Sequence, residues 1–110
     1  VREPNDAGDL LKAINSDLFS PKRFMIASLL YAFGRVKLSE LRAMLNLSWG
    51  DLDSNIKRLV EKGYVELWKE PGRVRGLETV AYLTEKGKRE YEKLAETLRI
   101  LSEKLEGKPP

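Results

Sequence analysis

The side chains that could do chemistry in this chain are few in kind. Cysteine, histidine and glutamine are absent from its 110 residues, while Asp, Glu, Lys and Arg make up 34%. Without Cys or His there is no disulfide, thiol sensor, nucleophilic cysteine, zinc site built on those ligands or imidazole general base. No Gly-rich phosphate loop or paired-carboxylate cleft is legible, so the expectation is a non-enzyme without cofactor or metal. What remains is recognition by cations and small polar groups. Gly50, Ser54, Lys57 and Arg58 fall on one side of a helical wheel whose other side carries Leu52, Ile56 and Leu59. A second basic group, Lys69, Arg73 and Arg75, lies in and beside the turn EPGRVRG. Cations so placed can reach phosphates or a narrow minor groove, and a hydroxyl between them can read base edges.

The first group belongs to LSELRAMLNLSWGDLDSNIKRLVEKG, residues 38–63. Ser39 can cap a short helix with Leu41, Met44 and Leu45 on its apolar face, and Asn46 can stop it in the left-handed conformation. Ser48 can cap a second helix by accepting from the Asp51 amide, and Gly63 can end that helix. This is a helix-turn-helix pattern, whose second helix can enter a DNA groove. The second group tips a hairpin. YVELWKE and LETVAYL read as strands, with Val65 and Leu67 on one face and Leu77, Thr79, Ala81 and Leu83 on the corresponding one. Pro71, Gly72 and Gly76 supply the turn, so the hairpin reads as a wing, although any exposed hairpin tip tends to be charged.

Three further helices must hold these two. Asp6 or Asp9 can begin the first, in which Leu10, Leu11, Ile14 and Leu18 share a face. Ser20 followed by Pro21 can start a core helix carrying Phe24, Met25, Ile26, Leu29, Leu30 and Phe33, ended by Gly34. Thr84 can cap a long last helix in which Tyr91, Leu94, Leu98, Leu101 and Leu105 step by three and four, the spacing of a coiled-coil seam. That seam and the first helix predict a homodimer; a monomer whose end helices cover each other is the alternative. The resulting division is residues 1–20 for dimer contact, 21–83 for the DNA-binding unit and 84–110 for the dimerisation helix and tail. The fold class is mainly α with a small β-hairpin wing.

The bulk numbers are compatible with this. A chain of 110 residues that is 42% hydrophobic suits one domain. No apolar run approaches a membrane span, and the start VREPNDAGDL has no apolar central region, so a cytoplasmic, nucleoid-associated protein is expected. The abundance of Lys, Arg and Glu fits a heat-adapted surface of the thermophilic archaeal kind. Residues 21–62 carry eight basic and four acidic side chains, so the positive charge gathers on the helix-turn-helix, where a merely solvated surface is the competing explanation.

The runs LFSPKRFMI, LSELRAMLNLS, GYVELWKE and YLTEKGKREYE, in this order, resemble the winged-helix transcriptional regulators of the MarR/ArsR type over residues 17–101. The resemblance implies a homodimer that sets two recognition helices into successive major grooves of double-stranded DNA. It places Trp49, Gly50, Asp53, Ser54, Lys57 and Arg58 on the presented face, with Asp53 and Trp49 nearer its flank. Two departures stand out. Relatives usually carry a small or amide residue at position 51 and Ser at 53, where this chain has Asp; these carboxylates could accept from cytosine or simply cap the helix. An aromatic residue is usual at position 81, where this chain has Ala81, its aromatic being Tyr82. Trp49 could meet a thymine methyl or pack at the helix-turn-helix corner. The implied function is sequence-specific regulation of transcription. A winged helix used for protein–protein contact or as an architectural subunit is the alternative. No residue marks a site for a small effector.

Overall fold

A single left-handed residue, Asn46 (φ 53°), separates two helices that would otherwise run together, and around that break the other elements are arranged. The computed structural model describes residues 7–73 and 76–106. Its elements are α1 (Ala7–Ala13), α2 (Pro21–Phe33), β1 (Val36–Lys37), α3 (Leu38–Leu45), α4 (Trp49–Glu61), β2 (Val65–Pro71), β3 (Leu77–Leu83) and α5 (Glu85–Glu106). The sheet order is β1-β3-β2, antiparallel throughout, with Val36 opposite Ala81 and Val65 opposite Leu83. The core gathers Ile26, Ala27 and Leu30 of α2, Leu41 of α3, Leu52, Ile56 and Leu59 of α4, Val65, Ala81 and Leu83 of the sheet, and Leu94 of α5. Among the described residues no helix is long and apolar enough to cross a membrane.

Several expectations need correction. Ser39 does not cap α3: the cap position falls two residues earlier, at Lys37, and the helix starts at Leu38. There the Glu40 carboxylate accepts from the Lys37 amide at 3.2 Å. Strand β1, too short to show a periodicity, was not expected. The first helix ends at Ala13, so Leu18 reaches the core from the following loop and Leu11 is turned to solvent. Met25 and Phe33 of the core helix are also exposed. In the hairpin the alternation holds only near the body. Val65, Ala81 and Leu83 are buried, whereas Leu67 and Leu77 lie exposed towards the tip; Val80, on the opposite face, is buried as well. Ser20 stands at the cap position of α2, but its hydroxyl makes no capping bond.

The long helix is fastened at its first turn. Thr84 Oγ1 accepts from the Gly87 amide at 2.9 Å and donates to the Gly63 carbonyl at 2.6 Å, while the Thr84 amide donates to the Tyr64 carbonyl at 3.0 Å. Gly87 is pressed so closely onto this junction that a Cβ there would sit 2.1 Å from the Tyr64 carbonyl oxygen. Backbone cannot yield as a side chain can. Gly87→Ala is therefore expected to cost at least about 3 kcal/mol, the upper end for overpacking, and to lower the melting temperature by more than about 10 °C. Gly50→Ala, whose Cβ would have nothing nearer than Ser48 Oγ at 4.0 Å, is expected to leave stability unchanged or raise it by up to ~1 kcal/mol. Thermal unfolding followed by circular dichroism checks both signs.

Candidate nucleic-acid interface

Helix α4 is the centre of the candidate surface. Ser48 Oγ accepts from the Asp51 amide at 3.0 Å, which closes the first turn. Leu52, Ile56 and Leu59 turn inward, and this fixes what faces out: Trp49, Gly50, Asp53, Ser54, Lys57 and Arg58 are all exposed. The Ser54 hydroxyl donates to the Asp51 carbonyl at 3.2 Å, a long bond within its own helix that leaves its lone pairs outward. Among the described residues, Asp53 and Lys57 make no ion pair with another side chain. Trp49 stands on the flank nearer α3, with the Arg42 guanidinium 5.0 Å from its ring centre.

Two of the charges differ from the simplest sequence expectation. Asp51 is not a free anion, because Lys22 at the start of α2 approaches its carboxylate at 2.8 Å and holds its pKa below the ordinary range. Arg58 is not a free cation: its Nε and terminal nitrogen donate to Asp17 Oδ1 at 3.0 and 2.7 Å. Lys62 lies 3.8 Å from the other oxygen of the same carboxylate. Neither link is visible in sequence, since Asp17 is 41 residues from Arg58.

The wing has a one-sided charge. Each of its three acidic residues has a partner: Glu66 accepts from the Tyr82 hydroxyl at 2.5 Å, Glu70 pairs with Arg35, and Glu78 pairs with Lys37 at 2.9 Å. Lys69, on β2, and Arg73, at the tip, are exposed. Gly72 donates to the Gly76 carbonyl at 2.8 Å to close the loop, and Gly76 takes φ 80°, which L side chains rarely adopt. Arg75 lies outside the described residues. Ala81 is fully buried, which puts Tyr82 on the other face of the sheet. There it lines an open cleft of about 520 Å³ with Tyr31, Arg35, Trp68 and Lys88.

The residues expected at a dimer contact divide into two sets. Leu10, Leu18 and Leu94 are buried within the single chain, and Ile14, Tyr91 and Leu98 pack against its core. Tyr91 stacks on Phe24 at 5.6 Å between ring centres, and its hydroxyl donates to Ser28 Oγ at 2.9 Å. Leu11 is exposed and Leu101 half-buried, while the side chain of Leu105 lies outside the described set.

Known proteins share this architecture. Residues 22–101, well over half of the chain, match the family described as winged helix DNA-binding domain. The chain belongs to that family. Its fold is that of MarR-type regulators. A transcriptional regulator homologue from Pyrococcus horikoshii OT3 superposes with a TM-score of 0.81 at 27% identity, covering 88% of this chain and 97% of that one. A MarR family transcriptional regulator from Silicibacter pomeroyi gives 0.66 at 20% identity, covering 94% and 68%. The PcaV transcriptional regulator from Streptomyces coelicolor, solved with its natural ligand, gives 0.68 at 16%, covering 87% and 67%. No curated protein matches the sequence. Family membership makes α3 and α4 the helix-turn-helix and β2–β3 the wing.

The Arg58 guanidinium beside Asp17 holds that carboxyl below the usual carboxylate range, outweighing the opposing effect of partial burial, and Lys62 and Arg23 add to it. A carboxyl depressed in the folded state contributes stability above its unfolded pKa and loses that contribution as pH falls through the folded one. The melting temperature should accordingly fall below about pH 4. In an NMR titration of the Asp17 carboxyl carbon, Arg58→Ala should move the midpoint up towards the ordinary value; an unmoved midpoint would contradict the assigned cause.

Proposed function

We propose that the protein is a homodimeric regulator that binds double-stranded DNA at specific sequences, with α4 in the major groove and the wing on the backbone or minor groove. The observation that carries this reading is the outward row of α4. Gly50, Ser54 and Lys57 lie exposed on a capped helix, with no element among the described residues covering them. Lys57, Arg58, Lys69, Arg73 and Arg75 supply the phosphate contacts, and Ser54, Asp53 and Trp49 the base readout. In this reading residues 21–83 form the DNA-binding unit, and 1–20 and 84–110 join two copies. The length of α5 supports the second part. Its 22 residues span roughly 33 Å, and the chain is 61 Å in its longest dimension against 27 and 22 Å in the others. A helix that outreaches its body leaves its far turns for another chain.

Selection of bound duplexes from a random pool tests the reading directly. The expected result is a palindromic consensus with half-sites about 10 base pairs apart, the spacing a twofold dimer imposes on successive grooves. Recovery of no consensus, together with no binding of random duplex at low salt, would refute it. Replacing Arg73 and Arg75 with Ala should weaken binding to all sequences alike and reduce the salt slope by up to ~1.8, about 0.9 for each phosphate that is no longer neutralised. Parental affinity and slope in that variant would remove the wing from the interface.

A further inference from the structure

Between α1 and α2 the chain makes a tight loop that does more than connect them. Asn15 Oδ1 accepts from the amides of Asp17 and Leu18 at 2.9 and 3.2 Å, and Leu18 is sealed in the core. The Asn15 amide group donates to the Tyr64 hydroxyl at 2.9 Å and to Glu90 Oε1, on α5, at 3.0 Å. From α2, Arg23 donates through Nε to the Asp17 carbonyl at 2.5 Å and through a terminal nitrogen to Asn55 Oδ1, on α4, at 3.0 Å. The loop is thus positioned by its own hydrogen bonds and by α2 and α5, independently of Arg58. The Asp17 carboxylate is a preset anion, and Arg58 and Lys62 of α4 come to it.

The place of those two cations on α4 gives the contact its meaning. Residues 50, 54 and 57 form the outward row, whereas 58 and 62 lie together on the flank towards the α1–α2 loop. When a helix sits in a major groove its outward row meets base edges and its flanks meet the phosphate walls. Arg58 and Lys62 are thus the phosphate-facing cations of that flank, and an internal carboxylate already occupies them. The Arg58 side chain remains half exposed, so it can change partner without unpacking the core. Asp17 opposes DNA in two ways, by neutralising these cations and by repelling the phosphate that would replace it.

We propose that Asp17 is a built-in competitor for DNA phosphate, holding Arg58 and Lys62 in internal ion pairs and so setting the affinity of the recognition helix for any duplex. The proposal rests on the DNA-binding reading above. It makes Asp17 a positioning residue that acts through Arg58, and it makes the α1–α2 loop, tied to α5 through Asn15, the point at which the end helices meet the recognition helix.

The test is a salt titration, from 50 to 200 mM KCl on the scale used for such slopes, of binding to a fluorescent random-sequence duplex. The proteins are the full chain, Asp17→Asn, Arg58→Ala and the double variant. Asp17→Asn is expected to bind about tenfold tighter at the low-salt end, with a salt slope steeper by about 0.9 to 1.8 for one or two added phosphate contacts. Made in the Arg58→Ala background and compared with Arg58→Ala alone, Asp17→Asn should gain little, whereas a change of net charge alone would give the same gain in both backgrounds. Circular dichroism checks the fold, and Asp17→Ser, read in the same way, replaces Asp17→Asn if the latter fails to fold. Parental affinity and slope in the Asp17 variant, or a gain that survives loss of Arg58, would overturn the proposal while leaving the DNA-binding reading intact. Absence of binding by every protein at 50 mM would overturn both.

Discussion

The approach of Gly87 to the Tyr64 carbonyl is the constraint from which the arrangement of the functional elements follows. At that point the end of α4, the start of β2 and the first turn of α5 meet backbone to backbone. Thr84 bonds both Gly63 and Tyr64, and Lys86 Nζ donates to the Lys62 carbonyl at 3.0 Å. The carbonyls of Arg58, Leu59 and Val60 at the C-terminus of α4 are answered locally by the amides of Lys62, Tyr64 and Gly63, and the residues that begin the last helix take the next carbonyls, those of Lys62, Gly63 and Tyr64. The exit of α4 also fixes where the wing starts and in which direction α5 leaves. A glycine at 87 is what allows helix and strand to approach so closely, and any larger residue would have to push α5 away from the wing's base.

Around that junction the charges are sorted rather than merely balanced. The net charge of +3 is too small to commit the protein to a polyanion, and the count over residues 21–62 only suggests where positive charge collects. The structure sharpens this by internal pairing. Glu70 and Glu78 of the wing are neutralised by Arg35, just before β1, and Lys37, within it, and Asp51 of α4 is neutralised by Lys22. These exposed pairs contribute little stability. Their consequence is electrostatic: these carboxylates are answered within the chain, which leaves the exposed Lys57, Lys69 and Arg73 less opposed. The same logic reversed operates at Asp17, where an anion is retained against the cations of the recognition helix flank.

Much of the fold was legible because it rests on local rules. Asn46 as a left-handed stop, Ser48 and Thr84 as caps, Gly63 and Gly76 at positive φ, and both wing strands follow from side-chain chemistry within a few residues. The misses have a common physical origin in contacts distant along the chain. Ser39 is a good cap by type, yet β1, paired through Val36 with Ala81, runs straight into a helix that starts two residues sooner. Leu18 fits a helical stripe on paper, but Asn15, held from afar by Tyr64 and Glu90, turns the backbone and delivers Leu18 to the core by another route. On the recognition helix, the outward residues were legible from the inward ones. What could not be read was that Arg58 and Asp51 would be held by Asp17 and Lys22, because nothing in an ion pair's sequence records its partner.

The last helix shows why periodicity specifies a seam but not what fills it. Tyr91, Leu94 and Leu98 recur with coiled-coil spacing, and in the single chain they are occupied by Phe24, Tyr31 and the core. The same stripe continues through Leu101, where the body no longer offers a full cover. One heptad-like pattern therefore serves two kinds of contact, with the winged body at the N-terminal half and with whatever lies beside the C-terminal half. This division is also mechanical. The half of α5 that packs on α2 carries Glu90, which holds Asn15 and through it the loop of Asp17. A displacement of α5 relative to the body would reach α4 by that short chain of hydrogen bonds, and it would move Leu94 in the core with it.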